Sequence, residues 1–195
     1  KINLICDVLT SVLTKSELNY GLAAEMMDIP SDHDINSDLL HYQLDLVHEN
    51  RNLLIAKVTQ HLHSLLHEVY SKINSNKSNT FDSQSVFKRA LKNKILFYLG
   101  AVQGYEEIIS KQYYESSLMT DVESALTVAC TYQHSSYLEL LSDFYNKWKH
   151  DNLVMNKWLT IQAKTCQGSS SVEELSALEL NEVYNKFEPN KVRAL

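Results

Sequence analysis

Apolar residues recur along the chain with the period of a helix rather than that of a strand. The opening stretch, KINLICDVLTSVL, places Ile2, Ile5, Val8, Leu9, Val12 and Leu13 at helical spacing, which predicts a first helix over 2–13. Thr14 and Glu17 have the form of a capping box, in which a hydroxyl and a carboxylate satisfy two free N–H groups. A second helix is therefore expected from Ser16 to Met27. The polar stretch DIPSDHDINSD around Pro30 reads as a loop. Helical pattern resumes from Ser37 to about Ile73, with Leu54, Val58, Leu62, Leu65, Val69 and Ile73 on one face. The run Glu49-Asn50-Arg51-Asn52 predicts a break within it. Ser71 to Ser85, rich in Ser and Asn, is expected to be a mobile surface loop, with Asp82 or Ser83 capping the next helix.

The second half repeats short amphipathic patterns. Phe87, Leu91, Ile95, Tyr98 and Val102 mark a helix that Gly100 and Gly104 loosen at its end. A short helix is expected over 105–113. Three further pairs have capping-box form: Thr120 with Glu123, Ser136 with Glu139, and Ser171 with Glu174. They open helices whose inward residues include Val122, Leu126 and Ala129, and then Leu141, Phe144, Tyr145 and Trp148. Asp151 starts a helix burying Val154, Trp158 and Ile161. Pro189 suits a first helical turn, since its φ is set and its missing N–H is no loss there. The chain thus starts and stops within helical pattern, as a piece of a longer protein would.

Composition narrows the class. Only 4 Gly and 2 Pro occur in 195 residues, fewer turn formers than a sheet protein of this size needs. The expected fold is all-α, an α-solenoid-like superhelix of stacked antiparallel helix pairs of the HEAT or armadillo kind. No fixed-period sequence repeat is visible. A compact four-helix bundle is the alternative and suits about ten unequal elements less well. Charged residues make up 22% and the formal net charge is −6, which speaks against a nucleic-acid partner. The densest basic cluster, Lys88, Arg89, Lys92 and Lys94, fits a solvated helix face. No apolar run approaches the roughly 20 residues of a membrane span. The 3 cysteines, Cys6, Cys130 and Cys166, contain no CxxC pair and read as buried reduced thiols.

Candidate chemistry is sparse. His63 and His67 lie four apart on one helix face, a spacing that lets two imidazoles share a metal. The zinc-protease motif HExxH needs a Glu directly after the first His as general base, and Ser64 stands there. His48-Glu49 and His67-Glu68 lack the second His. Glu106-Glu107 and Glu173-Glu174 are explained by first-turn charges that suit the helix dipole. No GxSxG, P-loop or dinucleotide glycine pattern is present. The residues therefore nominate no catalytic group and no metal ligand.

Four stretches, FKRALKNKILFYLG, SLMTDVESAL, FYNKWKHDNLVMNKWLTIQA and EPNKVRAL, occur in that order. Together they resemble the C-terminal helical domain of the aminopeptidase N (alanyl aminopeptidase) zinc metallopeptidases of the bacterial and apicomplexan-parasite type. The family pattern R-x-L-x-N is met by Arg89, Leu91 and Asn93. N-M-T-D is met by Met119, Thr120 and Asp121, with Leu118 in place of the Asn. K-W-x-x-x-Q is met by Lys157, Trp158 and Gln162. N-P-N-[RK]-[IV]-R-[AS]-L is met from Pro189 to Leu195, with Glu188 in place of the first Asn. LAAEMMDIPSDHDI is similar to the LAAE…LPS region near the start of that domain.

The resemblance implies several things. Residues 1–195 would be a piece of the C-terminal helical domain, cut before its natural end and without the catalytic domain. The whole protein would remove N-terminal residues from peptides with zinc-activated water, the zinc being bound outside this chain. The helical domain would close over the catalytic domain of the same polypeptide, leaving a cavity that admits peptides. Arg193, at the second arginine of the N-P-N-R-I-R pattern, would line that cavity and hold a peptide carbonyl or carboxylate; the other reading is that it caps or pairs with a neighbouring helix. Asn93, Thr120, Asp121 and Trp158 read as structural. A cytoplasmic location, or in a parasite also a digestive vacuole, is expected. The competing function is a free-standing α-solenoid scaffold that binds protein partners and has no enzymatic role.

Overall fold

A computed structural model of the chain describes residues 1–15, 17–75, 80–166 and 171–195. Among the described residues the secondary structure is all-α, with eleven helices and no strand. Helix α1, Ile2–Leu13, forms where the periodicity places it and buries Cys6, Leu9, Val12 and Leu13. The box expected at Thr14 and Glu17 does not open the next helix. Thr14 closes α1, its hydroxyl donating to the Thr10 carbonyl at 2.7 Å. Helix α2 is Tyr20–Met26, capped by Asn19, whose side chain accepts from the Leu22 N–H at 3.0 Å. Asn caps at least as well as Thr, and a start at Tyr20 turns Ala23 and Ala24 inward. Ser16, where that helix was expected to begin, lies outside the described residues.

The stretch expected to be a loop around Pro30 contains helix α3, Asp32–Ser37. Its capping box is Ser31 with Asp34: the Asp34 N–H donates to Ser31 Oγ at 3.2 Å and the Ser31 N–H to Asp34 Oδ2 at 3.0 Å. A density of polar residues hid a helix because those residues are its caps. Helix α4, Leu44–Ser75, begins later than expected and runs unbroken through 49–52. The polar side chains there serve the helix instead of ending it. Asn50 donates to the Leu46 carbonyl at 2.7 Å, and Arg51 Nε reaches the Pro30 carbonyl at 2.8 Å. Of the expected loop over 71–85, residues 71–75 belong to α4, and 76–79 lie outside the described residues. Asp82 caps helix α5, Ser83–Gly100, accepting from the Ser85 N–H at 3.0 Å. Gly104, at φ +97°, takes a backbone conformation that favours glycine.

The chain divides into two compact units, Lys1–Tyr105 and Glu106–Leu195. In the first, α1, α3 and α5 pack against α4, and α2 packs on α5. The α4 stripe of Ile55, Val58, Leu62, Leu66, Val69 and Ile73 is buried, as are Leu91, Ile95, Leu96 and Leu99 of α5. Two buried polar groups set the fit. Thr59 Oγ1 lies within hydrogen-bond distance of the Ile55 and Tyr98 carbonyls (2.8 and 3.0 Å), and the Tyr98 hydroxyl donates to the Met27 carbonyl at 2.8 Å.

The second unit is built from α6 Glu106–Glu115, α7 Met119–Thr131, α8 Tyr137–Trp148, α9 Asn152–Thr165, α10 Ser171–Glu179 and α11 Pro189–Ala194. Helix α7 packs on α6, α8 and α9, and α9 packs on α8 and α11. The cap positions differ from expectation. Leu118, not Thr120, is the N-cap of α7, and Glu123 instead pairs with Lys157 of α9 at 2.6 Å. Ser136 is the N-cap of α8 but makes no side-chain cap bond; Glu139 accepts from the Tyr114 hydroxyl at 3.2 Å. Ser171 is the first helical residue of α10 and not its cap. For Glu123 and Glu139 a tertiary partner competes for a side chain that spacing alone assigns to the helix end. Asp151 does cap α9, accepting from the Leu153 and Val154 N–H groups at 3.0 and 3.1 Å. A four-helix bundle does not accommodate the eleven helices found among the described residues.

Candidate functional site

The segment that carries the candidate residue Arg193 is prepared by a polar turn. Asn185 Oδ1 accepts from the Phe187 N–H at 3.0 Å, its amide donates to Glu188 Oε1 at 3.0 Å, and its carbonyl accepts from the Glu188 N–H at 3.0 Å. Glu188 is then the N-cap of α11 and Pro189 occupies the first turn, as the sequence predicts. Helical periodicity sorts the rest of the segment. Lys191 and Ala194, three apart, are buried against α9, and Val192 and Arg193 face outward. Arg193 is exposed and has no ion-pair or hydrogen-bond partner among the described residues, so pairing with a neighbouring helix is not what the structure shows.

Lys191 was not singled out by the sequence. It is 2% exposed, and its ammonium approaches the Asn152 carbonyl at 3.4 Å. Burial pushes its pKa down, partly offset by Glu188. A lysine two residues before an exposed arginine on a short helix is the signal that was available, because 191 and 193 cannot share a face. Lys191 therefore ties the first turn of α9 to α11 and sets which way Arg193 points.

The platform under α11 is α9, which is anchored to α8. Trp158, on α9, is buried and its indole N–H donates to the Leu141 carbonyl of α8 at 3.1 Å. Its ring lies 5.1 Å from that of Tyr145. The Tyr145 hydroxyl donates to Glu182 Oε1 at 2.7 Å. Asp121 is buried, and its carbonyl accepts from Gln112 Nε2 at 3.0 Å. These are structural roles, as expected for Trp158 and Asp121. Arg89 donates to the Thr80 carbonyl at 3.0 Å and lies over the Phe81 ring, while Leu91 is fully buried.

The histidines do not converge. His63 and His67 are exposed on α4; His63 Nδ1 lies 3.3 Å from the Gln60 carbonyl, and His67 packs its ring 6.2 Å from Tyr105. Among the described residues no three His, Cys, Asp or Glu side chains are grouped to hold a metal ion. These residues therefore do not fit a zinc site. The thiols are free. Cys6 and Cys130 are buried, and burial pushes Cys130 up to about 12; Cys166 is only half-buried, unlike the expectation for all three.

Over residues 3–195 the chain matches the family described as "Domain of unknown function (DUF3458_C) ARM repeats". It belongs to this family. The armadillo description agrees with the all-α, solenoid-like fold expected from the sequence. Among curated relatives of this DUF3458_C chain, aminopeptidase N of Haemophilus influenzae is 28% identical over 191 residues, covering 98% of the chain and 22% of that protein. Aminopeptidase N of Escherichia coli is 26% identical, with 98% and 22% covered. The chain therefore spans about a fifth of the length of these relatives. A crystal structure of Legionella pneumophila aminopeptidase A in complex with aspartic acid shares the fold, with a TM-score of 0.86 at 24% identity over 97% of this chain and 23% of that one. The resemblance to the C-terminal helical domain of aminopeptidase N is borne out by these matches. No described helix is long and apolar enough to cross a membrane.

Proposed function

We propose that the chain is a non-catalytic helical domain of a longer zinc aminopeptidase that removes N-terminal residues from peptides. The observation that carries this reading is the match of 98% of the chain to aminopeptidase N relatives of which it spans only 22%. In this reading the catalytic domain and the zinc lie in parts of the polypeptide outside residues 1–195. The domain encloses the active-site cavity and limits access to short peptides, a form of specificity by exclusion. The protein works in the cytoplasm.

Arg193 is the residue assigned to the substrate. Its outward position on α11, with Lys191 and Ala194 buried behind it, supports a guanidinium presented to a peptide carbonyl or carboxylate beyond the scissile bond. The test is made on the full-length polypeptide. Arg193→Ala is expected to raise KM for tri- and tetrapeptides more than for a one-residue amide substrate. A charge-assisted hydrogen bond of about 1.5–3 kcal/mol corresponds to about a ten- to hundred-fold loss in kcat/KM for peptides. Equal losses for both substrates, or no loss, would reject the assignment.

A further inference from the structure

The apolar face of α1 is wider than its neighbours cover. Going round the helix, Leu4, Val8, Val12, Ile5, Leu9, Leu13 and Cys6 form a continuous apolar arc of roughly 200° at 100° per residue. A helix resting on one layer of a globular domain needs an arc of about 100°. The half carrying Cys6, Leu9, Val12 and Leu13 is buried within the first unit. The other half is open: Leu4 is 68% exposed, Ile5 40% and Val8 41%. A cavity of about 420 Å³ runs beneath it, lined also by Met26, Ile29 and Pro30. The one acid in its wall, Asp28, is engaged by Lys94.

We propose that this open face of α1, with the cavity beside it, is the docking surface for an apolar segment of the same polypeptide outside residues 1–195. The inference rests on the reading of the chain as one domain of a longer aminopeptidase. Two observations argue for this occupant. Most of the length of the relatives lies outside the region that this chain matches, so a covalently linked partner is at hand at high effective concentration. The groove is lined mainly by apolar side chains, with its one acid already paired, which selects aliphatic or aromatic side chains over a peptide substrate's charged ends.

Site-resolved thiol labelling of the native full-length polypeptide tests this, with each modified peptide read by mass spectrometry. Val8→Cys lies on the open apolar face, and Asp7→Cys lies on the exposed polar side of the same helix. Docking predicts that Val8→Cys reacts at least about ten-fold more slowly than Asp7→Cys, at every protein concentration, and that the difference disappears in denaturant. Equal rates in the native protein overturn the proposal. Protection that appears only as protein concentration rises also overturns it, because the occupant is then a second copy. Aminopeptidase activity of the unsubstituted protein is measured alongside. An inactive protein defeats the functional reading, whereas an active protein with equal labelling rates defeats only the docking surface.

Discussion

The two units solve the same packing problem by different means. The first is organised on one long helix, α4, whose 32 residues carry a buried stripe from Val47 to Ile73. Many apolar contacts along such a stripe fix how α1 and α5 lie on it, with directional bonds added at Thr59 and Tyr98, while the short α3 is held by His48 and Arg51 of α4, which reach Asp32 and the Pro30 carbonyl. The second unit uses helices of 6 to 14 residues. A helix of two or three turns offers few apolar positions and is marginal alone. There, side-chain hydrogen bonds join one helix to another: Trp158 to the Leu141 carbonyl, Gln112 to the Asp121 carbonyl, and Tyr113 to the Leu140 carbonyl and Asp143. Long helices can be placed by area, and short ones need anchors with a direction.

The sharpest way to break that contrast is at Trp158. Trp158→Ala removes a buried aromatic ring and an inter-helix bond together, and should cost about 3–5 kcal/mol. Trp158→Phe keeps part of the ring and removes the indole donor to the Leu141 carbonyl, for about 1–3 kcal/mol. Urea denaturation followed by circular dichroism measures both. A negligible cost for the Phe variant would mean that area alone places the short helices.

In the first unit the corresponding loss should be smaller. Burial pushes the pKa of Tyr98 up, so its hydroxyl stays protonated and donates to the Met27 carbonyl. Tyr98→Phe should cost about 0.5–1.5 kcal/mol in the same denaturation experiment, because the α4 and α5 stripes remain. A loss as large as that of Trp158→Ala would erase the distinction between the units.

The smallest effect is expected at the cap of α5. The Thr80 hydroxyl, then the Ser85 N–H and hydroxyl, hold the Asp82 carboxyl well below the usual carboxylate range. A carboxylate whose pKa is depressed on folding adds stability that is complete above its unfolded pKa and is lost as pH falls through its folded value. Asp82→Asn keeps a capping oxygen and removes the charge. The melting temperature of the unsubstituted protein should exceed that of the variant slightly at neutral pH, and the gap should close as pH drops below the ordinary aspartate range. A gap independent of pH would assign the cap to geometry alone.

Local signals placed α1, α5, α9 and α11, and periodicity marked most of the α4 stripe. Those signals are local: a 3.6-residue apolar repeat, an Asp82 or Asp151 cap, and a Pro189 start need no tertiary partner to be read. The motifs that resemble aminopeptidase N were equally legible, because they are fixed residues at fixed spacing. The tertiary structure decided which polar side chains serve as caps. Thr14, Thr120 and Ser136 have the right spacing, yet Asn19 and Leu118 occupy the cap positions of α2 and α7, and Ser136 makes no cap bond. Glu123 and Glu139 are drawn instead to Lys157 and Tyr114. The exposed setting of Arg193 was also decided there, since it depends on Lys191 being buried beside α9. The physical reason is one of range: helix periodicity is set by backbone bonds four residues apart, whereas a polar side chain takes whichever partner folding brings within about 3 Å.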